Sequence, residues 1–200
     1  MEFEEIVKQR YAARMFDGKN IPEAKIEKLF DMIRYSASSF NLQPWKVEVI
    51  TDNKIKEKLM PASGNQLQVK TCSHLLVFCA YKDPTKRLDE LKSEMIKSGA
   101  DENRIKPYLE MISKALKKMS QKEKVDWAER QVYLALSNAL NGAKSLGFDS
   151  CPLEGFDPKE YQKILELPDY LVPVVLCPVG YGADKPRPKF RFSTDKVFFN

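Results

Sequence analysis

The chain has 200 residues, of which 43% are apolar and 30% charged, and carries a net charge of +5 with a single histidine. That composition fits one globular domain with a sizeable core. No run of eighteen apolar residues occurs, which excludes a membrane-spanning helix. The mild positive excess suits phosphate-bearing small molecules and is weak as a nucleic-acid signal.

The start, Met1-Glu-Phe-Glu-Glu, is acidic and lacks an apolar core, so no signal peptide is expected. Met1 to Tyr11 predicts a short helix with Phe3, Ile6 and Val7 on its apolar side. It runs into Arg10-Tyr-Ala-Ala-Arg14. Two arginines four residues apart on one helix face repel by roughly a few tenths of a kcal/mol. That cost points to an anionic partner or to simple solvent exposure, and local sequence leaves both open.

Asn20-Ile-Pro-Glu-Ala-Lys opens the next helix, with Pro22 in the first turn and Ile26, Leu29, Phe30 and Ile33 on one core face. Tyr35-Ser-Ala-Ser-Ser-Phe-Asn-Leu-Gln-Pro-Trp45 follows as a polar loop before a strand at Lys46–Thr51. Short hydroxyl side chains and free N–H groups in such a loop suit an anionic or heterocyclic ligand, although a plain capped turn uses the same residues. Asp52-Asn53 caps a short helix ending near Met60-Pro61. A second polar island, Ala62-Ser-Gly-Asn-Gln-Leu-Gln-Val69, precedes the apolar run Ser73–Tyr81, which predicts a central strand. His74 in that run reads as a structural strand-edge histidine.

Residues 82–124 are charge-dense. They predict two or three solvated helices with Pro84 and Pro107 as breakers, Gly99 between, and Leu109, Ile112, Ala115 and Leu116 at helical spacing. Such an insertion serves as surface or as a pocket wall. Ser120-Gln-Lys-Glu123 is a capping box opening the longest helix, which Gly147 stops. Val132, Leu134, Ala135, Leu136, Ala139, Leu140 and Ala143 cover most of its circumference, as in a core spine or half of a subunit interface.

Phe148-Asp-Ser-Cys-Pro-Leu-Glu-Gly-Phe156 is a third island, a tight path with exposed N–H groups expected around Leu153–Gly155. A short helix from Asp157 and a buried strand at Leu171–Val179, irregular at Pro173 and Pro178, come next. The tail from Gly182 alternates Lys185, Arg187, Lys189 and Arg191 with prolines. Its Phe190, Phe192, Phe198 and Phe199 argue that it packs on something. The four cysteines, Cys72, Cys79, Cys151 and Cys177, show no Cys-x-x-Cys spacing, so buried free thiols in a reducing, cytoplasmic setting are expected and no metal site.

Seven motifs in order resemble the FMN-dependent nitroreductase family. They are Arg10-Tyr-Ala-Ala-Arg14, Ser38-Ser-Phe-Asn-Leu-Gln-Pro-Trp45, Asn65-Gln-Leu-Gln68, the strand Ser73-His-Leu-Leu-Val-Phe-Cys79, Trp127-Ala-Glu-Arg-Gln-Val-Tyr-Leu134, Cys151-Pro-Leu-Glu-Gly-Phe156 and Pro188-Lys-Phe-Arg191. The likeness spans nearly the whole chain, least firmly over 82–124.

The resemblance implies an α+β fold in one domain over 1–200, with a mostly antiparallel central sheet surrounded by helices. It implies an intertwined homodimer that exchanges C-terminal arms (182–200) and holds two flavins at its seam. Arg10, Lys189 and Arg191 look like ligands of the FMN phosphate, with Tyr11 and Ala12 beside them. Ser38, Ser39, Phe40 and Asn41 match the loop that meets the partner's flavin. Arg14, Asn65 and Gln68 match residues at the pyrimidine edge of the ring. Pro152, Leu153, Glu154 and Gly155 match the segment whose backbone N–H faces flavin N5. Ala12 stands where many relatives carry Ser, and Gln68 where some carry Lys, so Arg14 is left as the main cation at the ring. With no cysteine-rich segment expected ahead of the domain, electrons come from NADH or NADPH, and a nitroaromatic, quinone or similar acceptor receives them. A flavin-binding carrier or sensor without turnover, and a family dehydrogenase or dehalogenase, are the alternatives.

Overall fold

The computed structural model describes residues 1–199. Four strands form one antiparallel sheet in the order β1-β2-β4-β3: β1 Trp45–Ile50, β2 His74–Tyr81, β3 Asp149–Ser150 and β4 Leu171–Gly180. The unbroken apolar run of β2 is explained by its place, since all eight residues are buried between two neighbouring strands and two packed faces. Successive side chains of a strand point to opposite faces. Leu76, Phe78 and Ala80 accordingly enter one core and Leu75, Val77, Cys79 and Tyr81 the other.

The parity breaks once. The register slips between Phe78 and Cys79, so that Phe78 opposes Val175 while Cys79 opposes Pro173. Pro173 lacks the N–H that a regular ladder would use, and the extra residue makes a bulge. Leu171 and Leu176, five apart, therefore share a core. Pro178, the other proline expected to be irregular, sits in register opposite Leu75.

Helices α1 Phe3–Gln9, α2 Glu23–Arg34, α3 Asn53–Leu59 and α4 Leu67–Thr71 lead up to β2. The Asp52 carboxylate accepts the N–H groups of Lys54 and Ile55 at 2.7 and 3.0 Å, which starts α3 where the sequence puts it. Between β2 and β3 lie α5 Leu88–Lys97, α6 Glu102–Lys117 and α7 Gln121–Ser145. Next, α8 Pro158–Ile164 precedes β4, and α9 Thr194–Val197 lies in the tail. The capping box of α7 is complete: Ser120 N–H donates to Glu123 at 2.7 Å and Glu123 N–H to Ser120 Oγ at 3.3 Å. The α7 helix is the spine of the larger core, and α2 lies so close that a Cβ on Gly142 would stand 2.9 Å from Leu29 Cδ1.

Three expectations need correction. Pro107 does not break the chain; it sits inside α6 on the exposed side, where the Asn103 carbonyl that loses its helical partner is also at the surface. Of the apolar side of α1 only Ile6 is buried, and Phe3 and Val7 face outward. On α7, Leu134 is exposed beside Tyr133, so the helix has one outward stripe. The tail aromatics Phe190, Phe192, Phe198 and Phe199 are all exposed, so they find no cover within a single chain. The four cysteines are buried and free, as expected.

Candidate functional site

The Arg10–Arg14 segment and the third island meet beside the sheet edge. Ala12 and Ser150 form a parallel bridge, and Ala13 N–H donates to Ser150 O at 3.2 Å. That bridge lays Arg10–Arg14 against Pro152. The tail closes over them: Ala183 N–H donates to Met15 O at 2.9 Å, and Asp184 Oδ1 accepts the N–H groups of Arg14 and Met15 at 3.1 and 3.3 Å. The result is a cavity of about 310 Å³ lined by Arg10, Tyr11, Ala12, Arg14, Pro152, Asp184, Arg187, Lys189 and Arg191.

Its electrostatics are one-sided. Among the described residues, Arg10, Lys189 and Arg191 form no ion pair with a carboxylate. Burial and then the Arg191 charge lower the pKa of Arg10. Burial and then Arg10 and Arg191 lower that of Lys189. Cations driven together in this way are uncomfortable until an anion joins them. The Lys189 ammonium meanwhile donates to Val7 O at 2.9 Å. Burial, with Asp149 and Asp184 behind it, pushes the Tyr11 phenol up to about 12, so it stays a donor at neutral pH.

The second and third islands also meet. Gln66 Nε2 donates to Gly155 O at 3.1 Å, and Gln68 Nε2 supports Gln66 Oε1 at 2.8 Å from a buried position. On the other side Tyr133 Oη donates to Glu154 Oε1 at 2.5 Å. Asn65 takes a left-handed turn at φ 56°. The N–H of Leu153 is not exposed as expected, because it donates to Leu176 O at 2.9 Å. Among the described residues, the N–H groups of Glu154 and Gly155 have no protein acceptor, which narrows the expected donors to that peptide pair.

The Ser38–Asn41 loop stands apart. It faces two other cavities, one with Arg34 and Arg87 and one with Leu91, Met95, Arg104 and Tyr108. None of its residues lines the cation cavity. Phe40, Asn41 and Gln43 have φ of 60°, 51° and 47°. Left-handed non-glycine residues cost on the order of 1–3 kcal/mol each, less for Asn. Surrounding groups hold them there. Gln131 Oε1 accepts Ser39 N–H at 2.9 Å, Ser38 Oγ accepts Gln43 N–H at 2.9 Å, and Tyr108 Oη donates to Phe40 O at 3.0 Å. The N–H groups of Ser39, Asn41, Leu42 and Gln43 are therefore taken, whereas among the described residues those of Ser38 and Phe40 have no protein acceptor and, with the serine hydroxyls, are what the loop can offer a ligand. Phe40 and Trp127 lie 6.3 Å apart, ring centre to ring centre.

Sequence reasoning did not single out Asp184, Gln66, Tyr108 or Gln131 as functional. Gln131 carried a signal, being an amide whose helical neighbours three and four positions away, Trp127, Ala128, Leu134 and Ala135, are all apolar. The other three act through contacts that link residues 68 to 173 positions apart, and local pattern does not reveal them.

Fold and site together define a class: an α+β protein whose sheet edge carries a cavity lined by cations, with a strained hydroxyl loop elsewhere on its surface. The chain belongs to the nitroreductase family, since the sequence model described as "Nitroreductase family" matches residues 7–181. It is 32% identical over 207 aligned positions to a Staphylococcus haemolyticus protein named "Putative NAD(P)H nitroreductase", covering 94% of this chain and 92% of the relative. It is 30% identical to the "Major NAD(P)H-flavin oxidoreductase" of Aliivibrio fischeri, covering 88% of this chain and 85% of that one. The fold matches a crystal structure from Exiguobacterium sibiricum, titled a "putative nitroreductase in complex with FMN", with a TM-score of 0.91, 22% identity and coverage of 100% and 97%.

Proposed function

We propose that this protein is an FMN-dependent NAD(P)H oxidoreductase. The observation that carries the reading is the convergence of Arg10, Lys189 and Arg191 with no carboxylate paired to any of them. A doubly charged phosphate is the group such a set accepts, through charge-assisted hydrogen bonds. Asp184 lines the same cavity but turns Oδ1 to the main-chain N–H groups of Arg14 and Met15. The names of the relatives, and the FMN in a structure of the same fold, point the same way.

When bound, FMN supplies the hydride chemistry. The chain's own residues bind, orient and tune. Arg10, Lys189 and Arg191 hold the phosphate, with Tyr11 and Ala12 at its wall. Arg14, Asn65 and Gln68 lie towards the pyrimidine edge, where a cation favours added electron density. The Glu154–Gly155 peptide, steadied by Gln66 and Tyr133, offers N–H groups to the ring, with Pro152 and Leu153 fixing its path. A nicotinamide donor and a nitroaromatic, quinone or similar acceptor use one slot in turn, a ping-pong scheme that requires no protein nucleophile.

We also propose a homodimer. The exposed tail aromatics, with Phe3, Val7 and Leu134 outward on α1 and α7, supply apolar surface for a second copy. The separation of Ser38–Asn41 from the cation cavity fits a loop that serves the partner's flavin. The buried free thiols favour the reducing cytoplasm.

The absorption spectrum of the purified protein, followed by anaerobic reduction with NADH or NADPH, tests the reading. A yellow dimer that is bleached by nicotinamide and recoloured by a nitro or quinone acceptor is expected. A colourless monomer that ignores added FMN overturns it, and a yellow protein that nicotinamides fail to reduce favours the carrier alternative.

A further inference from the structure

We propose that Tyr108, contributed by the helical insertion, is a positioning residue that holds the Ser38–Gln43 loop in its left-handed form. The insertion thereby sets how that loop meets a flavin. This rests on the functional reading above.

Three of the four residues from Phe40 to Gln43 have positive φ, and none is glycine. A backbone in that state persists only where its surroundings over-determine it. The loop's own bonds, Asn41 N–H to Ser38 O at 3.0 Å and Leu42 N–H to Ser39 O at 3.2 Å, fix its curl. The first of these already holds the N–H end of the Phe40–Asn41 peptide, and its carbonyl end is left for a partner outside the loop. That carbonyl is held from outside by Tyr108 Oη at 3.0 Å, from a residue 68 positions away on α6. Tyr108 and Phe40 also share one cavity of about 470 Å³ with Leu91 and Met95 of α5 and α6's neighbourhood, so α5, α6 and the loop lean on one another. Gln131 of α7 grips the Ser38–Ser39 peptide, two peptides earlier, through Ser39 N–H, so the strained turn is clamped from two helices. Without the Tyr108 hydroxyl, the Phe40–Asn41 peptide keeps only the Asn41 N–H to Ser38 O bond and rotates more readily, taking Asn41 towards negative φ. That rotation carries the Ser39 hydroxyl and the Phe40 ring away from their present directions.

Tyr108→Phe removes only the oxygen. Hydrogen exchange of the loop amides, read on protein without flavin, is expected to accelerate about tenfold at Asn41–Gln43 while the amides of β2 are unchanged. The FMN dissociation constant, read by quenching of flavin fluorescence, is expected to rise about tenfold. Phe40→Asn introduces a residue that accepts positive φ more readily. In that background, adding Tyr108→Phe is expected to change both readouts no more than threefold. Unchanged exchange in Tyr108→Phe overturns the clamp. Faster exchange with unchanged FMN affinity overturns its link to the flavin, as does an equal effect in both backgrounds. If the unaltered protein binds no FMN, the functional reading fails, and the exchange data still decide the clamp.

Discussion

The Tyr11 hydroxyl donates to the main-chain oxygen of Asp184 at 3.1 Å, joining the first loop of the chain to its tail across 173 residues. Gly182 lies beneath this bond. A Cβ there would collide with Tyr11 Oη and stand 2.9 Å from Asp149 Oδ2. Gly182→Ala therefore must displace either the tail or the Tyr11 ring. Overpacking of this kind costs about 1–3 kcal/mol. We expect a lower melting temperature together with weaker FMN binding, whereas Tyr11→Phe should give the weaker binding with a smaller stability change. Thermal melts and flavin titrations of both variants check this.

Arg191 should matter in opposite senses to the empty and the loaded protein. Its charge lowers the pKa of Arg10 and Lys189, so removing it relieves repulsion. Arg191→Ala should leave the melting temperature of the flavin-free protein unchanged or raised. It should weaken FMN by one charge-assisted hydrogen bond, about 1.5–3 kcal/mol or roughly ten- to a hundredfold. Parallel loss of stability and affinity would show that Arg191 is a structural residue.

Acid should weaken the fold partly through His74. Burial lowers its pKa below the usual 6.5, with the Glu23 charge opposing and the Lys56 charge adding to the drop. Its Nδ1 lies 2.9 Å from Ser73 Oγ, which also accepts Ile21 N–H at 2.8 Å. Because the unfolded chain takes up the proton first, the stability is fully present above pH 6.5. It is lost as pH falls from there towards the folded value. Urea midpoints at pH 8, 6.5 and 5 should fall more steeply for the unaltered protein than for His74→Asn, which cannot titrate.

The start of α7 should be fragile in proportion to what it carries. Ser120→Ala removes one half of the capping box at the head of a 25-residue helix. A lost cap costs about 0.5–2 kcal/mol. The drop should appear in the denaturant midpoint with an unchanged m value, and Ser120→Asp should restore it.

Features set by near neighbours were legible from the chain. The Asp52 and Ser120 caps, the stop at Gly147 and the all-buried β2 run each follow from a few adjacent residues, and each lies where the pattern placed it. Pro107 was misjudged because a proline inside a helix costs about 3 kcal/mol, which a long helix packed through Ile105, Ile112 and Leu116 absorbs, and that packing is a tertiary property. Composition located the polar islands, and the resemblance alone gave them roles. What neither supplied was the wiring: Gln66 to Gly155, Tyr108 to Phe40 and Asp184 to Arg14. Nor did the pattern place the phenylalanines of the tail, which are exposed.

The four cysteines have a chemical consequence. Burial pushes the Cys72 and Cys79 thiols up to about 12, and raises Cys151 and Cys177 as well. Only a thiolate attacks a soft electrophile, and only where it can be reached. A catalyst that handles quinones or half-reduced nitro compounds turns over among alkylating agents of its own making. With its four thiols buried, this protein, acting on the acceptors proposed above, would give such products no accessible thiolate to arylate, and it should keep its activity through many cycles where a surface thiol would have led to self-inactivation.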